Sequence, residues 1–314
     1  MDTVTGNTFY FEFEVRLMEW IQQILGDKGA GIVSHFSALG EEYFLILLIA
    51  FLYWCYDKRI GEKVGSILVL GVIINPLIKN IFWRRRPYFD HESIECYRPL
   101  DTKHDLFDIS AQGLSFPSGH STNAAAAFGS IAMIVRKKWA TILCGIIILL
   151  IGFSRVAVGV HYPTDVIVGW ISGFLCIWFI VFCRNKIPEE KIWILYLVIF
   201  LISCLGLLYC KTTDYFTCLG LVGGIYGAFE FEKRFVHFEN TRNPLSCVLR
   251  IFFGVAIYLV LNTLLKLPFS AEFLDSGTLM AGIVRSLRYL IVSFVTVGVY
   301  PYTFRLPAMR SWPM

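Results

Sequence analysis

The sequence predicts an all-α fold, a polytopic membrane bundle of about nine transmembrane helices with its polar site at the extracytosolic membrane boundary. Three observations carry this. Of 314 residues, 56% are hydrophobic and only 17% charged, where soluble domains carry about 25% charged and 45–50% apolar residues. Mean hydropathy is +0.61, and the apolar residues fall in long runs. The basic residues between those runs fall mainly in every second connection, on one side.

Nine apolar segments approach the ~20 residues that a span needs. They are Tyr43–Tyr56, Val64–Trp83, Ser118–Val135, Trp139–Ser154, Thr164–Cys183, Ile192–Tyr209, Thr217–Phe231, Cys247–Lys266 and Thr278–Tyr302. The first and seventh are short, and each is closed by charge, at Asp57-Lys58-Arg59 and Glu232-Lys233-Arg234. The side reached after the first span carries Lys58, Arg59, Lys63, Arg136, Lys137, Lys138, Arg184, Lys186, Lys191, Lys233, Arg234, Arg242, Arg305 and Arg310. Positive residues accumulate in cytosolic loops, so that side is read as cytosolic. The outer side then holds the N-terminus, the loop 87–117 and the turn near His161. Its positives concentrate at Lys79, Arg84, Arg85, Arg86 and Arg155, against the rule, which marks them as candidates for function.

The organisation expected is an N-terminal extracytosolic or interfacial segment (1–41), a core (42–186) with the loop 87–117, and additional transmembrane helices (187–314). No basic start followed by an apolar stretch reads as a signal peptide. Phe9 to Leu25 mixes aromatic and acidic residues, and reads either as an interfacial helix or as a helix over the site entrance. The nine cysteines sit mainly in or beside apolar runs and read as buried thiols, not a disulfide framework. Gly220, Gly223, Gly224 and Gly227 give two overlapping GxxxG spacings. Helix packing within the monomer is the reading, and a homodimer face is the alternative.

Three stretches carry chemistry. In Lys79-Asn80-Ile81-Phe82-Trp83-Arg84-Arg85-Arg86-Pro87, Lys79 and Arg86 are two helical turns apart and face one way if the helix reaches Arg86. Pro87 ends it there. The bland reading is basic side chains snorkelling at the surface, and Arg84 and Arg85 fit it. In Ser115-Phe116-Pro117-Ser118-Gly119-His120-Ser121, Pro117 begins a helix capped by Ser115. The amides of Ser118, Gly119 and His120 then form an anion site, and His120 is placed to deliver a proton. The bland reading is an ordinary helix start with a surface histidine. In Ser154-Arg155 through His161-Tyr162-Pro163-Thr164-Asp165, Asp165 lies four residues after His161, within reach of an imidazole nitrogen on one helical turn. Such a bond fixes the tautomer, as in a serine protease triad, and leaves the other nitrogen free to attack phosphorus. The bland reading is a cap with a structural ion pair.

Together these stretches resemble the signature of the type 2 phosphatidic acid phosphatase superfamily: lysine, six residues, arginine-proline; proline-serine-glycine-histidine; serine-arginine, five residues, histidine, three residues, aspartate. The resemblance covers about Val64 to Cys183. It implies that Lys79, Arg86, Ser118, Gly119 and Arg155 bind phosphoryl oxygens, that His120 is the general acid, His161 the nucleophile and Asp165 its orienting partner. A phosphoryl transition state spreads negative charge over oxygens that cations and amides stabilise, which fits that allocation. No metal-ligand cluster is visible, and no cofactor is expected. Nine spans with an extracytosolic N-terminus are also similar to the glucose-6-phosphatase branch, although Asp165 favours the lipid-phosphatase pattern.

The leading expectation is therefore a metal-independent phosphatase acting on a lipid phosphomonoester or diphosphate of phosphatidate, prenyl diphosphate or sphingoid phosphate type, in the bilayer, through a phosphohistidine. Periplasm, cell exterior and organelle lumen all remain open for the site. A sugar-phosphate phosphatase, a lipid phosphotransferase and a non-catalytic anion transporter stand as alternatives. Vanadate haloperoxidases share the pocket type but are soluble. Nothing points to nucleic acid. The acidic loop 88–114 reads as a solvated lid in preference to a calcium loop.

Overall fold

The structure is a computed structural model, and it describes residues 6–98, 106–306 and 309. Among these the chain is helical, with one parallel backbone bridge, Asn7 to Arg84. The helices are α1 (Glu12–Ser34), α2 (Glu42–Phe51), α3 (Lys58–Phe82), α4 (Pro87–Asp90), α5 (Ile109–Gln112), α6 (Gly119–Val135), α7 (Lys138–Ala157), α8 (Pro163–Lys186), α9 (Ile192–Cys204), α10 (Thr213–Phe231), α11 (Pro244–Leu264), α12 (Ala271–Leu274) and α13 (Leu279–Phe294).

The exact count of nine spans is not confirmed among the described residues. Six helical stretches are long and apolar enough to cross a membrane: Lys58–Phe82, Lys138–Ala157, Pro163–Lys186, Glu189–Leu208, Pro244–Leu264 and Leu279–Arg305. A seventh arises if the bent pair Glu12–Gly40 and Tyr43–Tyr56 is one span. The other expected segments are helices too, but α6 has only 17 residues. In α10 the helix holds Asp214 and Glu230, which lower its hydropathy. Length and polarity separate these from the rest, not a failure to form helix.

The chain divides into two compact units, Met1–Leu45 with Ile74–Ile177, and Ile46–Ile73 with Trp178–Met314. In the first, α6 packs its alanine run Ala124–Ala127 inward, all fully buried. α7 adds Cys144, Ile148 and Ile151 to the same core. α1 bends at Gly26, whose φ is +58°, and lays Met18 and Ile21 against Val156, Ala157 and Tyr162. In the second unit α10 lies against α13. A Cβ at Gly220 would stand 2.2 Å from Ser286 O, and one at Gly224 would stand 2.5 Å from Leu290 O. The first GxxxG spacing therefore serves close helix packing within the chain.

Candidate active site

All eight motif residues lie in the first unit. α3 stops at Phe82, short of the expected Arg86. Asn7 captures its end, with Nδ2 donating to Phe82 O at 2.8 Å and N to Trp83 O at 2.6 Å. Trp83 turns left-handed at φ +53°. Lys79 therefore sits in the last turn of α3, while Arg86 stands in extended backbone (φ −75°, ψ 153°) as the cap of α4, the conformation that Pro87 favours. The two are not on one helix face. Arg86 is nonetheless buried, with Nε donating to Gln112 O and Gly113 O at 3.0 Å and Nη1 to Val160 O at 3.2 Å. Burial, then the Arg98 charge, brings its pKa down to about 10, so it stays cationic at neutral pH.

The cap of α6 is Ser118, not Ser115. The Ser115 hydroxyl is committed to Arg85 O at 2.9 Å, and Ser118 Oγ accepts from Ser121 N at 3.4 Å and from Ser121 Oγ at 3.0 Å. The Ser118 amide, expected to face an anion, donates instead to Asp165 O at 3.0 Å. Gly119 and His120 then supply the first-turn amides, which lack intrahelical acceptors. His120 Nε2 lies 3.1 Å from Glu41 Oε1.

Between α7 and α8 the chain makes a tight turn. The amides of Val160 and His161 both donate to Arg155 O at 3.3 Å. Gly159 adopts φ +77°, and a Cβ there would meet Glu95 O at 2.1 Å, so conformation and clearance both require glycine. His161 precedes α8 and is not on one helical turn with Asp165, as the spacing had implied. Its Nδ1 is 3.4 Å from Asp165 Oδ2, but the alignment gives no hydrogen bond. Burial, and then the charges of Arg86, Arg155, Lys79 and His120, hold the imidazole well below its usual pKa. It is neutral at pH 7. Arg155 is buried at the end of α7, and its Nε has no hydrogen-bond partner among the described residues.

Sequence reading missed three contributors. Arg84, expected to snorkel, is 1% exposed. Its Nη1 donates to Asp165 Oδ1 at 2.6 Å and to Thr164 Oγ1 at 2.8 Å, and its Nη2 donates to Glu14 Oε2 at 3.1 Å. Its guanidinium carbon stands 3.9 Å from the Tyr162 ring centroid. Glu14, fully buried on α1, also accepts from Thr164 N at 2.9 Å and Thr164 Oγ1 at 2.6 Å. The N-terminal segment thus packs onto the site, the second of its two expected readings. Glu41 is the third. By contrast Arg85 pairs with Asp90 at 2.6 Å and is a third exposed.

Among the described residues no three His, Cys, Asp or Glu side chains group as metal ligands. A cavity of about 610 Å³ opens in the 87–117 region, between Tyr88, Asp90, His91, Glu95, Leu106 and Phe107. Neither His120 nor His161 lines it; Tyr88 backs onto Val158 and Val160, the turn that leads to His161.

The geometry is that of an oxyanion site built on a membrane helical bundle, and sequence comparison names the group. Residues 63–189 match the PAP2 superfamily, and residues 216–310 match the PAP2 superfamily phosphatase transmembrane extension. The chain is 38% identical over 141 residues to undecaprenyl-diphosphatase BcrC of Bacillus subtilis, covering 42% of this chain and 65% of that protein. It is 31% identical over 173 residues to phosphatidylglycerophosphatase B of the same organism, covering 51% and 77%. Lipid A 1-phosphatase of Rhizobium johnstonii is 35% identical over 133 residues, covering 41% and 50%. The chain therefore spans from half to about three quarters of these relatives. It belongs to the PAP2 superfamily. No solved structure matches it.

Proposed function

We propose that this protein hydrolyses the terminal phosphate of a membrane lipid, a phosphomonoester or diphosphate, through a phosphohistidine at His161 and without a metal. The observation that carries the reading is the buried, neutral imidazole of His161 within the field of Lys79, Arg86 and Arg155. In the first step the His161 Nε2 lone pair attacks phosphorus. The bond from phosphorus to the leaving oxygen breaks, and His120 gives that oxygen a proton. Lys79, Arg86, Arg155 and the first-turn amides of α6, at Gly119 and His120, hold the three phosphoryl oxygens as charge spreads over them. In the second step water attacks phosphorus, His120 takes its proton, and the N–P bond breaks. Asp165 supports the positive ring. A lipid is favoured over a sugar phosphate because the relatives are named for lipid phosphates. The placement of basic loops favours a site on the extracytosolic side.

The test uses purified protein in detergent with a prenyl diphosphate, phosphatidylglycerophosphate, phosphatidate and glucose phosphate, in EDTA, with alkaline quench of labelled substrate and a later acid step to show that the adduct is acid-labile. His161→Ala is expected to lose turnover and the acid-labile adduct together. His120→Ala is expected to lose about 10²–10⁴-fold on lipid phosphate but far less on nitrophenyl phosphate, whose leaving group needs no proton. An adduct in His161→Ala, or loss of all activity in EDTA, would refute the mechanism. Preference for glucose phosphate would refute the lipid assignment.

A further inference from the structure

We infer that Glu14 and Arg84 are positioning residues which, with Asp165, form one buried relay supplying the negative charge against which His161 becomes positive on phosphoryl transfer. The inference rests on the role of His161 proposed above and extends it to the N-terminal helix, outside the matched stretches 63–189 and 216–310.

The argument begins with charge. The cations that suit a phosphate dianion oppose a positive ring at His161. When Nε2 bonds to phosphorus, the ring keeps its Nδ1 proton and becomes an imidazolium. A counter-charge is then needed on the Nδ1 side, where Asp165 Oδ2 lies 3.4 Å away. Asp165 does not face that ring alone. Its Oδ1 takes a 2.6 Å ion pair from Arg84, and Arg84 takes a second, at 3.1 Å, from Glu14. Asp165 and Glu14 are fully buried and Arg84 is 1% exposed, so solvent screens little of this field.

Arg84 positive with two carboxylates negative leaves one negative charge in excess. A buried ion pair alone would have needed only Arg84 and Asp165. An added buried carboxylate costs desolvation, and its energy is recovered when a positive charge appears next to the cluster. The cluster is also tightly held. Glu14 accepts the amide and hydroxyl of Thr164 at 2.9 and 2.6 Å, and Asp165 Oδ2 accepts the Tyr162 amide at 2.8 Å. Arg84 Nε donates to Phe9 O at 2.7 Å. These bonds fix the backbone on both sides of Pro163, immediately after His161.

The experiment separates charge from scaffolding by measuring both half-reactions. Rapid quench into alkaline detergent, where a phosphohistidine is stable, gives the rates of formation and hydrolysis of phosphoenzyme, and folded protein measured separately counts intact sites. In Glu14→Gln, formation per intact site is expected to slow by on the order of 10–100-fold, the range for partners one step removed from a reacting ligand. Hydrolysis is expected to quicken, because a less stabilised phosphoimidazolium leaves more readily. Glu14→Asp, which keeps the charge, is expected to bring both rates back towards wild type. The double variant Glu14→Gln with Asp165→Asn is expected to be no slower in formation than Asp165→Asn alone, since residues acting as a unit are non-additive.

Unchanged rates per intact site, or both rates falling together, would overturn the relay. So would losses that multiply in the double variant. Should Glu14→Gln not purify, Glu14→Asp decides: both half-reactions slowed alike overturns the inference, and rates near wild type or moving in opposite directions support it. If wild type forms no phosphohistidine, the proposed function itself fails, whatever Glu14 does.

Discussion

Glu62 in the second unit and Asp165 in the first are both buried carboxylates, and their neighbourhoods differ in one respect. Glu62 Oε1 accepts Lys233 Nζ at 2.8 Å, Tyr196 OH at 2.8 Å and Arg184 Nη1 at 3.1 Å. Both cations also reach Glu189, at 3.2 and 2.9 Å. There each positive charge has an anionic partner in the protein, and no charge is left over for a ligand. Beside Asp165 the balance is broken. Arg84 is matched by two carboxylates, Arg86 meets only carbonyl oxygens, and Arg155 Nε meets nothing among the described residues. A closed network stabilises a fold. Separated excesses of positive and negative charge around one imidazole prepare a reaction that moves charge between them.

The sharpest way to break this contrast is to neutralise one charged side chain on each side. Arg155→Ala is expected to lower kcat/KM by about 10²–10³-fold, as for removal of one transition-state donor, with a thermal midpoint close to wild type. Equal activity would show that Arg155 is not part of the phosphoryl cradle. Glu62→Gln should do the reverse. Opening a buried pair by removing one partner costs about 3–5 kcal/mol, read as earlier unfolding in detergent, while kcat per folded molecule stays unchanged. A selective loss of kcat would place Glu62 in the chemistry and erase the distinction.

The smallest effect concerns pH. The folded-state pKa of His161 is depressed, so below about pH 6.5 the unfolded chain takes up a proton that the folded protein refuses. Stability is complete above that value and declines as pH falls beneath it, by up to about 1.4 kcal/mol for each pH unit from this one residue. Thermal midpoints measured from pH 7 to 5 should therefore fall less steeply in His161→Ala than in wild type. Equal slopes would mean that the ring titrates normally.

How far sequence reaches is clearest around the third motif. The four residues from His161 to Asp165 read as one helical turn, which brings the two side chains near each other, but Gly159 and Pro163 turn the chain between α7 and α8 and leave His161 ahead of the helix. The same reasoning misjudged Lys79 and Arg86, since the helix end depends on Asn7, more than seventy residues away, capturing the carbonyls of Phe82 and Trp83. Arg84 and Arg85 are adjacent and chemically identical. Only the arrival of Glu14 and Thr164 makes one of them buried, and no periodicity contains that information. The exact count of nine spans is not confirmed: α6, with Ala124 to Ala127 enclosed by neighbours, is a 17-residue helix, at the short end of what crosses a bilayer. The GxxxG spacing around Gly220 was legible because small residues leave room for a close helix, and α13 fills that room.

Gly159 has a mechanical meaning beyond its dihedral angle. Its missing side chain leaves just enough room for the carbonyl of Glu95. Gln22 Nε2 reaches that same carbonyl at 2.8 Å and Ala157 O at 3.2 Å. The N-terminal helix, the segment around Glu95 and the turn bearing His161 are thus stapled at one point by one amide. On the proposed mechanism the ring is aimed before a lipid arrives, so the entropy of orienting it is lost during folding and not during each turnover. A single methyl group at position 159 would act as a wedge at that staple, driven against the Glu95 carbonyl oxygen, and would move the His161 ring.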